Sequence, residues 1–336
     1  MTGYLRGLLL TACLTACASE PTERAAPQPI MQQQGTALSG IVLQGAQFQG
    51  LTLQGFRFAT AKLNGSPLDN LRLVGGELIA EQNGITLHGT SLVEMRVLAE
   101  ARNDSVQPPQ TVPVAYKITG IVPEDPKYDP TQTGATFLYS LSQNVDGAGN
   151  WQPACPVDSD GRRAAVPLAE VWDSAGNPSL SASVFTFGCT TGVIAKCYRW
   201  GYRPWVAGYG NLMATHQTCT RLARADYCGD GISHTMNGTL INVWDVIGAP
   251  GPIQPQGTTP PGMTFEAAWN PSGAICLSHA RWGLDGSAVS AACRSRLRPP
   301  GGPGMPPGTV CDNVIEAAMQ PGSGPRLFNQ STIQAP

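Results

Sequence analysis

Two carboxylates four residues apart, Asp226 and Asp230, flank a tyrosine and a cysteine in "ADYCGDG", residues Ala225 to Gly231, with His216 before them and His234 after. Polymer-cleaving enzymes divide general-acid and general-base duties between paired carboxylates, and a nearby imidazole can relay a proton. On that reading Asp226, Asp230 and His234 are candidate catalytic residues. The same residues fit a structural role. Asp226 would fall in the last turn of a helix, where the dipole disfavours an acid by a few tenths to ~1 kcal/mol. Its carboxylate would then accept N–H groups of the turn at Gly229 to Gly231, or pair with Arg221 or Arg224, while Tyr227 packs inward with its hydroxyl bonded.

The element that must position these groups is a helix expected over about 211–226, with Leu212, His216, Cys219 and Ala223 on one face. A second helix is expected over Gly192 to Trp200, with Thr190 and Thr191 as capping candidates and Gly201 as its stop. If the first helix continues to Asp226, Cys219 and Cys228 lie roughly 13 Å apart along it, beyond the ~7 Å reach of a disulfide. They should bond elsewhere, as helix-borne anchors tied to separate strands. "VAYKITGIV", "TFLYSLSQN", "SVFTFGC" and "GMTFEAAW" alternate as strands do, and "MNGT" between "ISHT" and "LINVWD" signals a two-residue hairpin.

Eight cysteines lie in the body of the chain: Cys155, Cys189, Cys197, Cys219, Cys228, Cys276, Cys293 and Cys311. An even number in an exported chain predicts disulfides, though sequence does not choose the pairing. No pair is spaced Cys-x-x-Cys and no His–Cys cluster appears, so neither a metal site nor a cofactor is expected.

Export is read from "MTGYLRGLLLTACLTACASE": Arg6 precedes an apolar run of signal-peptide length, too short to span a bilayer. Leu14-Thr15-Ala16-Cys17 matches a lipobox and makes Cys17 the expected lipidation site within a leader at 1–18. Leu10-Thr11-Ala12-Cys13 also matches but lies deeper in the apolar run. Ordinary cleavage at the Ala16-Cys17-Ala18 pattern would instead release a secreted protein. Residues 19–37, rich in Pro and Gln, read as a tether holding the body off a membrane.

From Leu43 to Leu78 a large apolar residue recurs every fifth position: Leu43, Phe48, Leu53, Phe58, Leu63, Leu68, Leu73, Leu78. Neither a helix nor a strand has that period. The pattern resembles the pentapeptide repeat, which implies a short square-sectioned β-helix over about 38–100. It departs from that family in having Ile41, Leu51, Phe56 and Leu71 where small residues are usual. Eight repeats are few for a free-standing solenoid, so the segment is expected to dock on something else. A polar, Pro-containing break at 99–113 suggests a boundary, with a second domain over 114–332.

"RADYCGDG", preceded by "KCYRWGYRPW" and "HQTCTRL", resembles the ADYC domain of bacterial, often myxobacterial, secreted proteins and lipoproteins. "WQPACPVDSDG", "VPLAEVWD", "FTFGC", "MNGTLINVWD" and "AICLSHAR" extend the likeness over roughly 151–311. The resemblance carries no catalytic residues to transfer.

Other constellations read as structure first. "DSDG", Asp158 to Gly161, is a fragment of a calcium loop, but Pro156 stands where the first acidic ligand belongs, which favours a plain turn. His279 and Arg281 could line a pocket or simply be packed. The aromatics of "YRWGYRPW" could stack sugars or form core and rim.

Lys plus Arg number 21 against Asp plus Glu 23, a net charge of −2 that offers no field for nucleic acid. Gly (39) and Pro (29), about a fifth of the chain, point to many turns. The expected class is α+β: a short β-helix-like segment followed by a disulfide-rich mixed α+β domain. The expected role is a cell-envelope lipoprotein, on the outer membrane and facing periplasm or exterior, carrying a binding or structural module for an envelope polymer or protein. The alternative is an extracellular hydrolase of envelope or prey polymers.

Overall fold

The computed structural model describes residues 57–103, 110–128, 136–144, 149–173, 175–180, 185–206, 212–247, 252–281, 313–319 and 327–332, with 108, 311 and the strand pieces at 31–32, 42–43 and 46–47. Among them the chain is mainly antiparallel β-sheet, and the expected α+β class is corrected to a β-rich fold. Three α-helices are described: α1 (Val193–Arg199), α2 (Leu212–Arg224) and a short one at Val314–Met319.

After β1 (Met31–Gln32) and the paired pieces β2 (Val42–Leu43) and β3 (Ala46–Gln47), a meander begins. It runs through β4 (Arg57–Leu63), β5 (Ser66–Val74), β6 (Glu77–Gln82) and β7 (Ile85–His88), each antiparallel to the last. The expected β-helix, whose coils stack strands in parallel, is therefore not formed at these residues.

At three described positions glycines reverse the chain. Asn64-Gly65, Gly75-Gly76 and Asn83-Gly84 have φ of 51 and 84, 54 and 82, and 51 and 77°, the paired positive values of a tight hairpin turn.

The five-residue step has a physical reason in this geometry. Leu73 and Leu78 sit directly opposite each other across a two-residue turn, and Leu68 faces Ala61 across the turn from Leu63. Within β5 an odd step would send Leu68 and Leu73 to opposite faces. A bulge between Asp69 and Arg72, with Asn70 at φ 49°, inserts one residue and restores the phase. Leu63, Leu68 and Leu78 are buried and Leu73 packs against them.

The meander continues into one ten-stranded sheet through β8 (Arg96–Asn103), β9 (Gln110–Pro123), β10 (Phe137–Asn144), β12 (Ala165–Leu168) and β15 (Thr186–Cys189), with β11 (Gln152–Pro153) beside β10. β8 and β9 pair from Arg96↔Lys117 to Asn103↔Gln110, so both described ends of the polar stretch expected to separate two domains are paired with each other in one sheet. One hydrophobic cluster joins Leu63, Leu78 and Val97 to Tyr116, Leu141 and Phe187.

Beyond β13 (Glu170–Trp172) and β14 (Pro178–Leu180), a five-stranded sheet is built from β1, β16 (Leu240–Asp245), β17 (Thr264–Asn270), β18 (Gly273–Leu277) and β19 (Leu327–Ser331). A second cluster runs from Leu138 and Val166 of the large sheet, through Ile194, Cys197 and Leu222 of the helices, to Val243, Trp269 and Leu327 of the small one. The helices thus occupy the space between two sheets.

Three bridges staple this arrangement: Cys155–Cys189, Cys197–Cys219 and Cys276–Cys311, closing 34, 22 and 35 residues. Loops of that length correspond to about 3–4 kcal/mol each in the chain-entropy account. Cys228 is disulfide-bonded too, and Cys293 lies outside the described residues. Cys219 does bond away from Cys228, but it ties helix to helix where a strand was expected. Two further expectations are corrected. Gly192, with no side-chain bond, caps α1 in place of Thr190 or Thr191. "MNGT" makes a turn, but β16 pairs β1 and β19, and residues 232–235 form no strand.

A side chain from beyond α1 also touches the meander. Trp205 lies on the Gly75-Gly76 turn, where a Cβ on Gly76 would sit 2.5 Å from the indole. The contact adds to the β4–β8 pairing that joins the meander to the rest of the sheet.

Candidate functional site

Helix α2 ends at Arg224, immediately before the tetrapeptide and two residues before its aspartate. Ala225 takes φ 51°, its N–H bonds the Leu222 carbonyl at 3.0 Å, and the Asp226 N–H bonds the Arg221 carbonyl at 2.9 Å, a Schellman closure with alanine at the left-handed position. Asp226 is only 1 % exposed. Its Oδ1 accepts the Asp230 N–H at 3.1 Å; its Oδ2 accepts the Gly231 N–H at 3.0 Å and Arg221 Nη1 at 2.5 Å. Arg221 is itself fixed by the Ala175 and Pro271 carbonyls and by Asn177. Burial raises the Asp226 carboxyl above the ordinary aspartate range, opposed by Arg221.

Asp230 and His234 do gather around this loop. Asp230 is exposed, and its Oδ1 accepts the Ile232 N–H at 3.0 Å. The His234 ring stacks on Tyr227 at 5.8 Å, and burial lowers its pKa against the pull of Asp230 and Asp226. His216 does not join them; its ring packs against Trp172 and Tyr198.

Tyr227 anchors a buried network that sequence reasoning missed. Its hydroxyl donates to Glu266 Oε1 at 3.1 Å and accepts the Arg281 N–H at 2.9 Å. Arg281 Nε meets Glu266 Oε2 at 2.9 Å, and its two terminal nitrogens bond the Leu222 and Ala223 carbonyls at 2.7 and 3.2 Å. These are carbonyls at the end of α2, so the guanidinium also caps the helix. Asn329 closes the set, giving to Glu266 at 2.6 Å and receiving Trp269 Nε1 at 2.8 Å. Glu266, Arg281 and Asn329 are fully buried. A carboxylate in the apolar strand "TFEAAW" was the available signal, since a buried charge demands a partner.

The backbone of the motif touches β18 directly. The Ala274 N–H bonds the Tyr227 carbonyl at 3.0 Å, and a Cβ on Gly229, at φ 67°, would lie 2.0 Å from the Ser272 carbonyl oxygen.

The remaining candidates lie in other packed sites. His279 Nε2 reaches Ser331 Oγ at 3.2 Å. In "DSDG" the Asp158 Oδ1 accepts the Asp160 and Arg162 N–H groups at 3.0 and 2.8 Å, a turn. Around it Arg199 joins Glu124 at 2.6 Å and Asp160 at 3.0 Å, and its guanidinium lies 4.1 Å from the Tyr128 ring centre. Tyr198 stacks on Trp205 at 4.9 Å, and the Tyr202 hydroxyl reaches Asp245 at 3.0 Å.

His216 and Glu170 share one buried cluster through Tyr198, whose hydroxyl is 2.5 Å from both Glu170 oxygens and whose ring stacks on the imidazole at 4.3 Å. Burial pushes Glu170 up to about 7 from 4.5, against the Tyr198 hydrogen bond. Burial pushes His216 down to about 4 from 6.5, against its bond to the Ile194 carbonyl. The signs oppose. Below pH 7 the folded state takes up the Glu170 proton before the unfolded chain does, which favours folding down to pH 4.5. The neutral His216 contributes in full above pH 6.5 and loses that contribution as pH falls towards 4. In Glu170→Gln only the histidine remains. Its stability should fall below pH 6.5 more steeply than the parent's, by about 1.4 kcal/mol per pH unit, in denaturant titrations across pH. Parallel profiles would count against the burial argument.

Fold and motif together define a disulfide-stapled, antiparallel β body organised around a capped helix end. Residues 89–283, more than half of the chain, match the family model of the ADYC domain, and the chain belongs to that family. No curated protein and no solved structure matches it. The disulfides fit an extracellular or envelope location, and among the described residues no helix is long and apolar enough to cross a membrane.

Proposed function

We propose that the protein is an exported cell-envelope lipoprotein whose stapled body is a binding or structural module, and that "ADYC" is a folding element with no catalytic duty. One observation carries this reading: Asp226 is sealed, with both oxygens committed to backbone N–H groups and Arg221. A general acid or base needs a proton path to substrate within about 2.6–3.2 Å, directly or through one water. A carboxylate saturated from within the fold has none. Asp230 is exposed, but Asp226, the acid it was paired with, is sealed away and does not share the work.

Asp226→Asn is therefore expected to lower stability by about 1–3 kcal/mol, because an amide sets a donor against donors and leaves Arg221 without its counter-charge. Thermal melting is the measurement. An unchanged melt together with lost turnover of an envelope polymer would restore the hydrolase.

Cys17 lies outside the described residues, and the anchor rests on its lipobox. In this reading it attaches the body to the outer membrane through the 19–37 tether, facing periplasm or exterior. Mass spectrometry of membrane fractions is expected to return a triacylated peptide beginning at Cys17. A free Ser19 N terminus would replace anchoring with simple secretion.

A further inference from the structure

The outer face of the ten-stranded sheet carries three cations on one row. Lys62 of β4 is paired with Arg96 of β8, and Arg96 with Lys117 of β9, so the three side chains leave the same face on successive strands. The neighbours Ala61, Val97 and Tyr116 point into the core, which fixes the row as outward. Like charges directly opposite one another destabilise a sheet. Here they are also held together: Trp151 lies 5.6 Å from the Arg96 guanidinium and 5.7 Å from the Lys117 ammonium.

A groove of about 520 Å³ opens along this row, lined among others by Thr60, Lys62, Asn64, Glu94, Arg96 and Trp151. Its single acid answers only one cation, since Glu94 reaches Lys117 at 3.8 Å while Lys62 and Arg96 meet no carboxylate among the described residues. Glu94 holds φ 74°, a left-handed conformation that costs a non-glycine residue energy and that concentrates at functional sites.

We propose that this groove binds an acidic polysaccharide, a chain of uronic-acid type with one carboxylate per sugar. The inference rests on reading the body as a binding module and names its site. Charge complementarity chooses the ligand's sign. Adjacent strands lie about 4.8 Å apart, so the cations form a short row that a polyanion with regularly spaced charges can lie along. Thr60 and Asn64 offer hydrogen bonds to hydroxyls at the rim. Three cations spanning about 10 Å, on a chain of net charge −2, do not make the extended basic field that phosphate polymers require.

The test uses the full mature chain, with polygalacturonate as the probe and hydroxyethylcellulose as the neutral control, in affinity electrophoresis at rising salt. Retardation by polygalacturonate alone, weakening with salt, is expected. Lys62→Gln and Arg96→Gln should each lose about tenfold in affinity, Lys62→Gln melting at or above the parent temperature because a repulsion has been removed and Arg96→Gln staying folded as the lost Trp151 contact offsets the relieved repulsion. Unchanged affinity in both variants, or equal retardation by the neutral polymer, would overturn the proposal. So would stronger binding of duplex DNA or phosphatidylglycerol vesicles that the same substitutions abolish. Binding of another envelope polymer that survives both substitutions would overturn the groove and leave the binding module standing.

Discussion

Arg281→Met is expected to destabilise the protein by about 3–5 kcal/mol, the cost of leaving one member of a buried ion pair without its partner. Glu266 would keep its charge at full burial with only Tyr227 and Asn329 as donors, and the Leu222 and Ala223 carbonyls would lose their cap. The variant with both Arg281→Met and Glu266→Gln should recover part of the loss, since no unpaired charge remains. Urea unfolding followed by tryptophan fluorescence reads both effects, with Trp269 inside the network as a local reporter. A loss under about 1 kcal/mol in the single variant would mean that Glu266 finds solvent or a proton instead.

Gly229→Ala should cost about 3 kcal/mol or more, combining an overpacked contact with a left-handed backbone. The contact is backbone against backbone, 2.0 Å from the added carbon to the Ser272 carbonyl oxygen, so no side chain can rotate away. Gly273, at φ 113° in β18, approaches the Tyr227 carbonyl with the same intolerance. Gly65→Ala is the control: its turn also needs positive φ, but nothing lies within 4 Å of the added carbon. Denaturation midpoints should fall much further for Gly229 than for Gly65. Equal losses would reduce the "CGDG" turn to an ordinary one.

Local chemistry was legible in the sequence, and long-range pairing was not. The helix over 212–224, the bonding of Asp226 to its own turn and to Arg221, and the inward Tyr227 all follow from spacings of a few residues. The partners of Tyr227 lie 39 and 54 residues away, and only the fold brings Glu266 and Arg281 to it. The five-residue step was visible as a signal and misassigned as a structure. A period gives the distance between like residues but not the direction of the next strand. The paired positive φ values at Asn64-Gly65 and Asn83-Gly84 decided for reversal, and asparagine before glycine was the cue available beforehand.

Trp205 on the Gly75-Gly76 turn, and the pairing of β4 with β8, make the heritable unit and the unit that must fold together different in extent. The family match starts at residue 89, inside the sheet. A fragment trimmed there would leave β8 with a bare rim of amides and carbonyls, and an indole facing water, the combination by which truncated β proteins stick to their own copies. Soluble expression of the C-terminal body therefore calls for carrying the whole meander, and with it the Met31–Gln32 strand that covers the edge of β16.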